Sequence, residues 1–391
     1  MPNRHTYSCQ DISDQDVEAV VRTLKGPYLT QGPMTDLFES KIADYTAAQF
    51  AVSFNSATSA LHGALVALGI SQSDVIWTTP ITFVATANAA IYCGASIDFI
   101  DIDPATLNIS VAALTEKLEL ADKLNRLPTA IILVHFAGSP VNPEAIQALA
   151  MKYGFKIVED GSHAFGSSYG QHMIGSCRDS DLCIFSFHAV KPITSGEGGA
   201  VTTNNPAVAR RLKQFRSHGI TREPEDFRHT EMSKEPWYYE QVSLGWNYRL
   251  SDIHAALGSS QIDSSDSKCR IRNQLVSWYR ERFNQLPVRL QQIPDEARSA
   301  YHIMVVLFED RTTRNHVRRH LNNHNIGTNL HYIPVYKHPF YADIFGSDYS
   351  LPNAEQYYDQ ALTIPLHTKL DANDVTFICD RIEEALNNDR L

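Results

Sequence analysis

The sequence predicts an α/β protein: a large unit built on a mostly parallel central sheet, followed by a smaller C-terminal α+β unit. Three observations carry this prediction. Apolar strand-like runs alternate with helix-like runs through the first two thirds of the chain, the order of a parallel sheet flanked by helices. The unbroken run Ala130-Ile131-Ile132-Leu133-Val134-His135-Phe136 reads as a strand buried on both faces. After about residue 255 the rhythm changes to long helices with few strands, which divides the chain into 1–255 and 256–391.

The elements follow in order. Ala51 to Phe54 reads as a strand and Ser59 to Leu68 as a helix; Ser96 to Ile102 is again strand and Val111 to Leu118 helix. After the run at 130–136, Pro143 to Tyr153 is a helix with proline near its first turn, and Lys156 to Asp160 is the next strand. Leu182 to Phe187 and Ala200 to Thr203 are strand-like runs on either side of a glycine-rich turn. Residues between Arg222 and Tyr239 are charged and aromatic and read as a long mobile excursion near the active site. In the second unit a helix spans Ser264 to Leu286, then come strand Ile303 to Phe308, helix Thr313 to Asn322, strand Asn329 to Ile333 and helix Ala372 to Asn388.

Composition narrows the function. The chain has 391 residues, ample for a large core, and a formal charge of −10 with no basic run, which argues against nucleic acid as a partner. The start, Met1-Pro2-Asn3-Arg4-His5, lacks the apolar core of a signal peptide, and no apolar stretch approaches the ~18 residues of a membrane span. Six cysteines are scattered without paired spacing, so reduced thiols, a cytoplasmic location and no metal centre are expected.

The most informative stretch is Phe185-Ser186-Phe187-His188-Ala189-Val190-Lys191-Pro192-Ile193-Thr194-Ser195-Gly196-Glu197-Gly198-Gly199-Ala200. A lysine before proline is biased away from helix, so Lys191 is expected on a loop at the end of a strand, where open α/β sheets place their ligands. The stretch resembles the lysine loop of the DegT/DnrJ/EryC1/StrS family, sugar aminotransferases that use pyridoxal 5′-phosphate (PLP). That loop reads S-F-H-x-x-K-x-I-x-x-G-E-G-G-A, and each fixed position is matched here. The resemblance implies PLP fold type I, the aspartate aminotransferase-like architecture, and makes Lys191 the Schiff-base lysine and proton shuttle. Phe187, Val190 and Ile193 surround it with apolar bulk that can depress an amine pKa from its usual ~10.4.

The other needs of PLP are an acid for the pyridine nitrogen, a phosphate cradle and a flat partner for the ring. Ile157-Val158-Glu159-Asp160-Gly161-Ser162-His163-Ala164 is similar to the family's E-D-x-x-[QH]-A motif. It implies Asp160 as the acid and His163 beside the ring or its phenolic oxygen, with Glu159 facing away. Small hydroxyl residues at Asn55-Ser56-Ala57-Thr58-Ser59 precede an alanine-rich helix. An ordinary N-cap uses the same letters, but the family places its phosphate turn here, implying Thr58 and Ser59, with Ser186 as a further hydroxyl. The resemblance implies Phe83 as the stacked aromatic; a buried aromatic in a core helix is the bland alternative.

Gly245-Trp246-Asn247-Tyr248-Arg249 resembles the family's G-x-N-x-R motif, whose asparagine reaches the neighbouring subunit's phosphate. A homodimer with shared active sites is implied, with Asn247 contacting PLP. Arg249, with His331 and Tyr332 of Leu330-His331-Tyr332-Ile333-Pro334-Val335, falls on the substrate side. The family moves an amino group, usually from L-glutamate, to a keto carbon of a nucleotide-linked sugar. A small branch with histidine in place of the lysine removes a hydroxyl instead; Lys191 sets this chain with the transaminases.

Ser-His-Ala-Phe-Gly after Asp160, the residues around Lys191 and the run at 331–335 look most like the branch aminating C4 of UDP-4-keto-6-deoxy-N-acetyl-altrosamine, toward pseudaminic acid. Departures at Ser167, Ser195 and Lys337 bear on the exact sugar. A PLP-dependent lyase or dehydratase of the same fold, another nucleotide-sugar aminotransferase, and a non-catalytic PLP or sugar-nucleotide sensor are the alternatives. Conversion of the cofactor to its amine form by glutamate alone separates the first from a transaminase.

Overall fold

The computed structural model describes residues 5–229 and 235–388. Its seven-stranded sheet contains β1 (Phe50–Phe54), β2 (Val75–Thr78), β3 (Ser96–Phe99), β4 (Ala130–Val134), β5 (Lys156–Asp160), β6 (Leu182–Ser186) and β7 (Gly199–Thr203). The spatial order is β1-β7-β6-β5-β4-β2-β3. Pairs β3/β2, β2/β4, β4/β5 and β5/β6 are parallel, while β7 runs antiparallel to both β6 and β1. The lysine loop therefore joins two hydrogen-bonded strands in the sheet, in the register Ser186↔Gly199.

Helices cover both faces. Preceding β1 are α1 (Asp14–Leu24) and α2 (Pro33–Thr46); α3 (Ala57–Ala67), α4 (Val84–Tyr92), α5 (Val111–Lys123), α6 (Pro143–Tyr153) and α7 (Pro206–Arg216) connect or follow the strands. Successive strand residues point to opposite faces. Ile132 joins the cluster under α3, α4 and α7, whereas Ile131 and Leu133 pack with Leu114, Leu118 and Ile146 of α5 and α6. Every residue of β4, β6 and β7 is buried, which explains the unbroken apolar letters of β4 and the largely apolar ones of β6. Proline at the first turn and an asparagine cap, Asn142 or Asn205, start α6 and α7.

The rest of the chain forms α8 (Asp252–Ile262), α9 (Ser265–Phe283), β8 (Arg289–Leu290), β9 (Met304–Leu307), α10 (Arg311–Asn323), α11 (Pro339–Phe345), α12 (Pro352–Gln360), β10 (Ala361–Ile364) and α13 (Ala372–Asn388). Strands β8-β9-β10 make an antiparallel sheet, packed with α9, α10 and α13 into a separate apolar cluster. Residue 255 lies inside α8, which packs along α1 and α2, so the division we propose falls at 263–264, the turn before α9. The later unit is not detached: Ala297–Arg298 pairs with Ser168–Tyr169, and Val335, Tyr336 and Tyr341 enter the cluster beneath α3 and α4.

Several expected elements differ. β4 stops at Val134: the His135 N–H still reaches the Asp160 carbonyl, but β5 ends there and Ala137 takes a left-handed φ of 58° in the following turn. Asn329 to Ile333 is not a strand. Only Asn329 pairs, with Thr363, and Ala361–Ile364 instead takes the place beside β9. Part of the expected excursion, residues 230–234, lies outside the described residues. Its flanks are organised: Ile220–Thr221 pairs with Glu240–Gln241, and the Glu240 carboxylate accepts the N–H groups of Arg228 and His229.

Candidate active site

A cavity of about 510 Å³ opens where β2, β4, β5 and β6 end. Val134, Asp160 and Ser186, the last residues of their strands, line it together with Lys191. The helix after β1 points its N-terminus at the same space through Ala57 and Thr58. Ser56 caps that helix, its hydroxyl accepting the Ser59 N–H at 3.1 Å. The exposed amides and dipole of this terminus suit an anion. Gly199 permits the approach, since a Cβ there would lie 2.6 Å from the Ala57 nitrogen.

Asp160 is buried and held from two sides. Thr86 Oγ1 donates to its Oδ2 at 2.7 Å, Thr82 lies 2.8 Å behind Thr86, and the Ser162 N–H reaches Oδ1 at 3.1 Å. Burial brings the Lys191 amine down to about 8, against a smaller upward pull from the Asp160 carboxylate. A substantial neutral fraction near pH 8 makes Nζ both a nucleophile and a proton acceptor. Thr82, just before α4, and Thr86, within it, belong to no motif that would mark them as the support of Asp160.

Three histidines surround the lysine. His302 Nε2 lies 3.5 Å from Nζ, and its Nδ1 has no hydrogen-bond partner. The His302 and His163 rings lie 4.5 Å apart between centroids. The Ala137 N–H donates to His163 Nδ1 at 3.2 Å; the ring's own proton therefore sits on Nε2, 3.1 Å from the Tyr332 hydroxyl. Both nitrogens of His163 are thus engaged by the protein. Burial, then the charge of Lys191, holds His163 and His302 well below the usual histidine range and brings His331 down to about 4. All three are neutral at pH 7, and burial followed by Asp160 raises the Tyr332 phenol, keeping it a donor.

The structure brings Thr58, Phe83, Asp160, His163, Ser186, Lys191, His331 and Tyr332 to one cavity. Phe83 is not in a core helix: it caps the start of α4, is 58% exposed, and stands 6.2 Å from Tyr332, ring to ring. Ser59 is absent from the lining because its hydroxyl is spent in the cap, donating to Asn55 Oδ1 at 2.6 Å. Asn247 and Arg249 also lie outside this chain's cavity. Their segment is stitched beside residues 215–219, Asn247 bridging Ser217, and a Cβ on Gly245 would meet the Gly219 nitrogen at 2.1 Å.

His302 and Tyr7 of the lining also went unread in the sequence. His302 enters between Ala300 and β9 with no motif to mark it. Tyr7 comes from a segment bound to the later unit: the Gly327 N–H donates to the His5 carbonyl at 2.7 Å and the Leu366 N–H to the Tyr7 carbonyl at 3.1 Å. His5 Nε2 lies 3.0 Å from Asp374, and Ser8 Oγ donates to the Val190 carbonyl at 3.1 Å, beside the lysine.

Comparison with known proteins agrees with this geometry. The DegT/DnrJ/EryC1/StrS aminotransferase family matches residues 10–383. The UDP-4-amino-4,6-dideoxy-N-acetyl-beta-L-altrosamine transaminase of Campylobacter jejuni strain 81-176 is 38% identical over 383 residues, 96% of each chain. The solved structure of Helicobacter pylori PseC, an aminotransferase of pseudaminic acid biosynthesis, superposes with a TM-score of 0.89 at 31% identity, covering 98% of this chain and 99% of that one. The Streptococcus pneumoniae protein Spr1654, solved in a PLP form, gives 0.86 at 25% identity, covering 97% and 98%.

Proposed function

The chain belongs to the DegT/DnrJ/EryC1/StrS aminotransferase family, and from that premise we propose that it moves the amino group of L-glutamate to the C4 keto carbon of UDP-4-keto-6-deoxy-N-acetyl-L-altrosamine, toward pseudaminic acid. Membership makes it a PLP-dependent sugar aminotransferase; the substrate pair is what the proposal adds. The observation that carries the acceptor is the 38% identity, across 96% of both chains, to the Campylobacter transaminase named for that sugar.

The residues present fit PLP. A helix N-terminus with Thr58, and Ser186 opposite, form a cradle for the phosphate that a Cβ on Gly199 would disturb. Lys191 would hold the cofactor covalently, Asp160 would hold the proton on its ring nitrogen, and Phe83 would cover a ring face. When bound, PLP supplies the electron sink for the pair released at the substrate carbon. The chain's own work is proton transfer and orientation. Lys191 Nζ carries the proton on and off that carbon. Thr86 and the Ser162 amide fix the Asp160 carboxylate, and neutral His163 fixes the Tyr332 hydroxyl.

The test is incubation with glutamate and a panel of UDP-4-keto sugars, followed by identification of the product. Glutamate alone should convert the cofactor to its amine form, and the altro-configured acceptor should be aminated at C4 at least about tenfold faster than its stereoisomers, a difference of ~1.4 kcal/mol. Faster amination of another isomer would overturn the acceptor. Failure of glutamate to convert the cofactor would overturn the donor.

The proposal includes a cytoplasmic homodimer. All six cysteines are unpaired, and no helix among the described residues is long and apolar enough to cross a membrane. Asn247 is exposed, outside its own cavity and beside Leu244 and Trp246, which are 77% and 45% exposed. Such a surface suits a symmetric partner, and it lets Asn247 serve the partner's phosphate. Asn247→Asp chains, with a negative charge aimed at that phosphate, and Lys191→Ala chains should each be inactive at limiting PLP. Mixed dimers should recover activity, with at most one working site each. No recovery in verified mixed dimers would mean that Asn247 acts within its own chain or not at all.

A further inference from the structure

Outside the active site, α10 and α13 pack along one another in the later unit. His320, in the last turn of α10, and His324, at its C-cap, are spaced one helical turn apart and face Glu384 of α13. One ligand atom from each of the three lies within 4.8 Å of the other two. An i, i+4 histidine pair on one helix face is a spacing at which two imidazoles can share one metal ion.

The details of the cluster suit coordination. His324 Nδ1 lies 2.9 Å from the His320 carbonyl oxygen, to which it donates, so Nε2 keeps its lone pair. This is the outer hydrogen bond that commonly fixes the tautomer of a ligating histidine. His320 Nε2 is buried, makes no hydrogen bond, and lies 3.5 Å from Glu384 Oε2. The other carboxylate oxygen of Glu384 is held by Arg381 Nη2 at 2.5 Å, which orients the group while its charge weakens the site.

We propose that His320, His324 and Glu384 bind a divalent ion of the zinc class through two imidazole nitrogens and one carboxylate oxygen, leaving a fourth position for water. Two imidazoles among three ligands favour zinc, cobalt, nickel or copper over magnesium or calcium. Tetrahedral bonds of 2.0–2.1 Å need ligand atoms about 3.4 Å apart, so the three side chains draw together by roughly 1 Å on binding. None of them is fully buried, and none lines the cavity. The ion would clamp α10 to α13 without taking part in amino transfer.

The test uses untagged holoenzyme, dialysed against a chelator and then titrated with zinc by calorimetry and with cobalt by visible absorption. One ion per chain is expected, with Kd on the order of 10 µM or tighter for zinc. Tm should rise with zinc, and magnesium should have no effect. His324→Ala and Glu384→Gln should each weaken zinc binding by at least about tenfold, consistent with the loss of one ligand. Far-UV circular dichroism and transaminase activity should be unchanged. Binding weaker than about 1 mM, or binding of undiminished affinity in both variants, would overturn the site.

Discussion

Replacing Lys191 with alanine is expected to abolish turnover, by about four orders of magnitude or more, and to remove the absorbance of the lysine-bound cofactor while the fold persists. Among the described residues no other amine lines the cavity, and burial holds His163, His302 and His331 around the lysine neutral, so none of these groups can both bind the cofactor covalently and return the proton. In the wild type, the form with a free Lys191 amine should gain activity as pH rises through about 8, because burial has brought the amine down to that value and only the neutral form accepts a proton. Circular dichroism, cofactor absorbance and single-turnover rates check these statements. Turnover by Lys191→Ala above a trace would remove the lysine from its assigned role.

Asp160→Asn should keep the fold and bind PLP, yet lose turnover by about 10²–10³, the range for removing one preorganised electrostatic contact. The carboxylate is anchored by Thr86 and the Ser162 amide. An asparagine could keep both contacts, since its oxygen can accept from either donor and the Thr86 hydroxyl can turn to accept from the amide. What vanishes is the negative charge that would hold the ring nitrogen's proton. The effect should fall on kcat more than on cofactor affinity. Near-normal turnover would mean that another acid pairs with the nitrogen.

Much of this site was legible because its parts are local. Lys191 with Ser186, and Asp160 with His163, lie within single stretches whose strand-then-loop letters place them at the sheet's carboxyl edge. What stayed illegible depends on contacts across the chain. His302 meets Lys191 across 111 positions, and Tyr332 meets His163 across 169, with nothing in either stretch to name the other. The misjudged strand at 329–333 has the same origin. Its alternating letters suit a ladder, but Leu330, His331 and Tyr332 turn into the cavity instead, and His331 Nδ1 lies 2.9 Å from the Thr363 hydroxyl. Ser59 could not be sorted for a local reason, since cap and cradle call for the same residue types and only the folded turn shows its hydroxyl bonded to Asn55.

The anchoring of residues 5–8 sets an order in time. Tyr7 lies on the cavity wall, and its segment is held through Gly327, Leu366 and Asp374 as well as through Val190. A ribosome makes Tyr7 early and the first three of those partners more than three hundred residues later. At the ~5–20 residues per second of synthesis, that interval is on the order of half a minute. Strands β1 to β7 can pair during it, since all their residues have then been made, but the contacts that Gly327, Leu366 and Asp374 give to the segment of Tyr7 are still missing. Cofactor capture in its finished form is thus a late event in the birth of each molecule, completed after synthesis has passed Asp374.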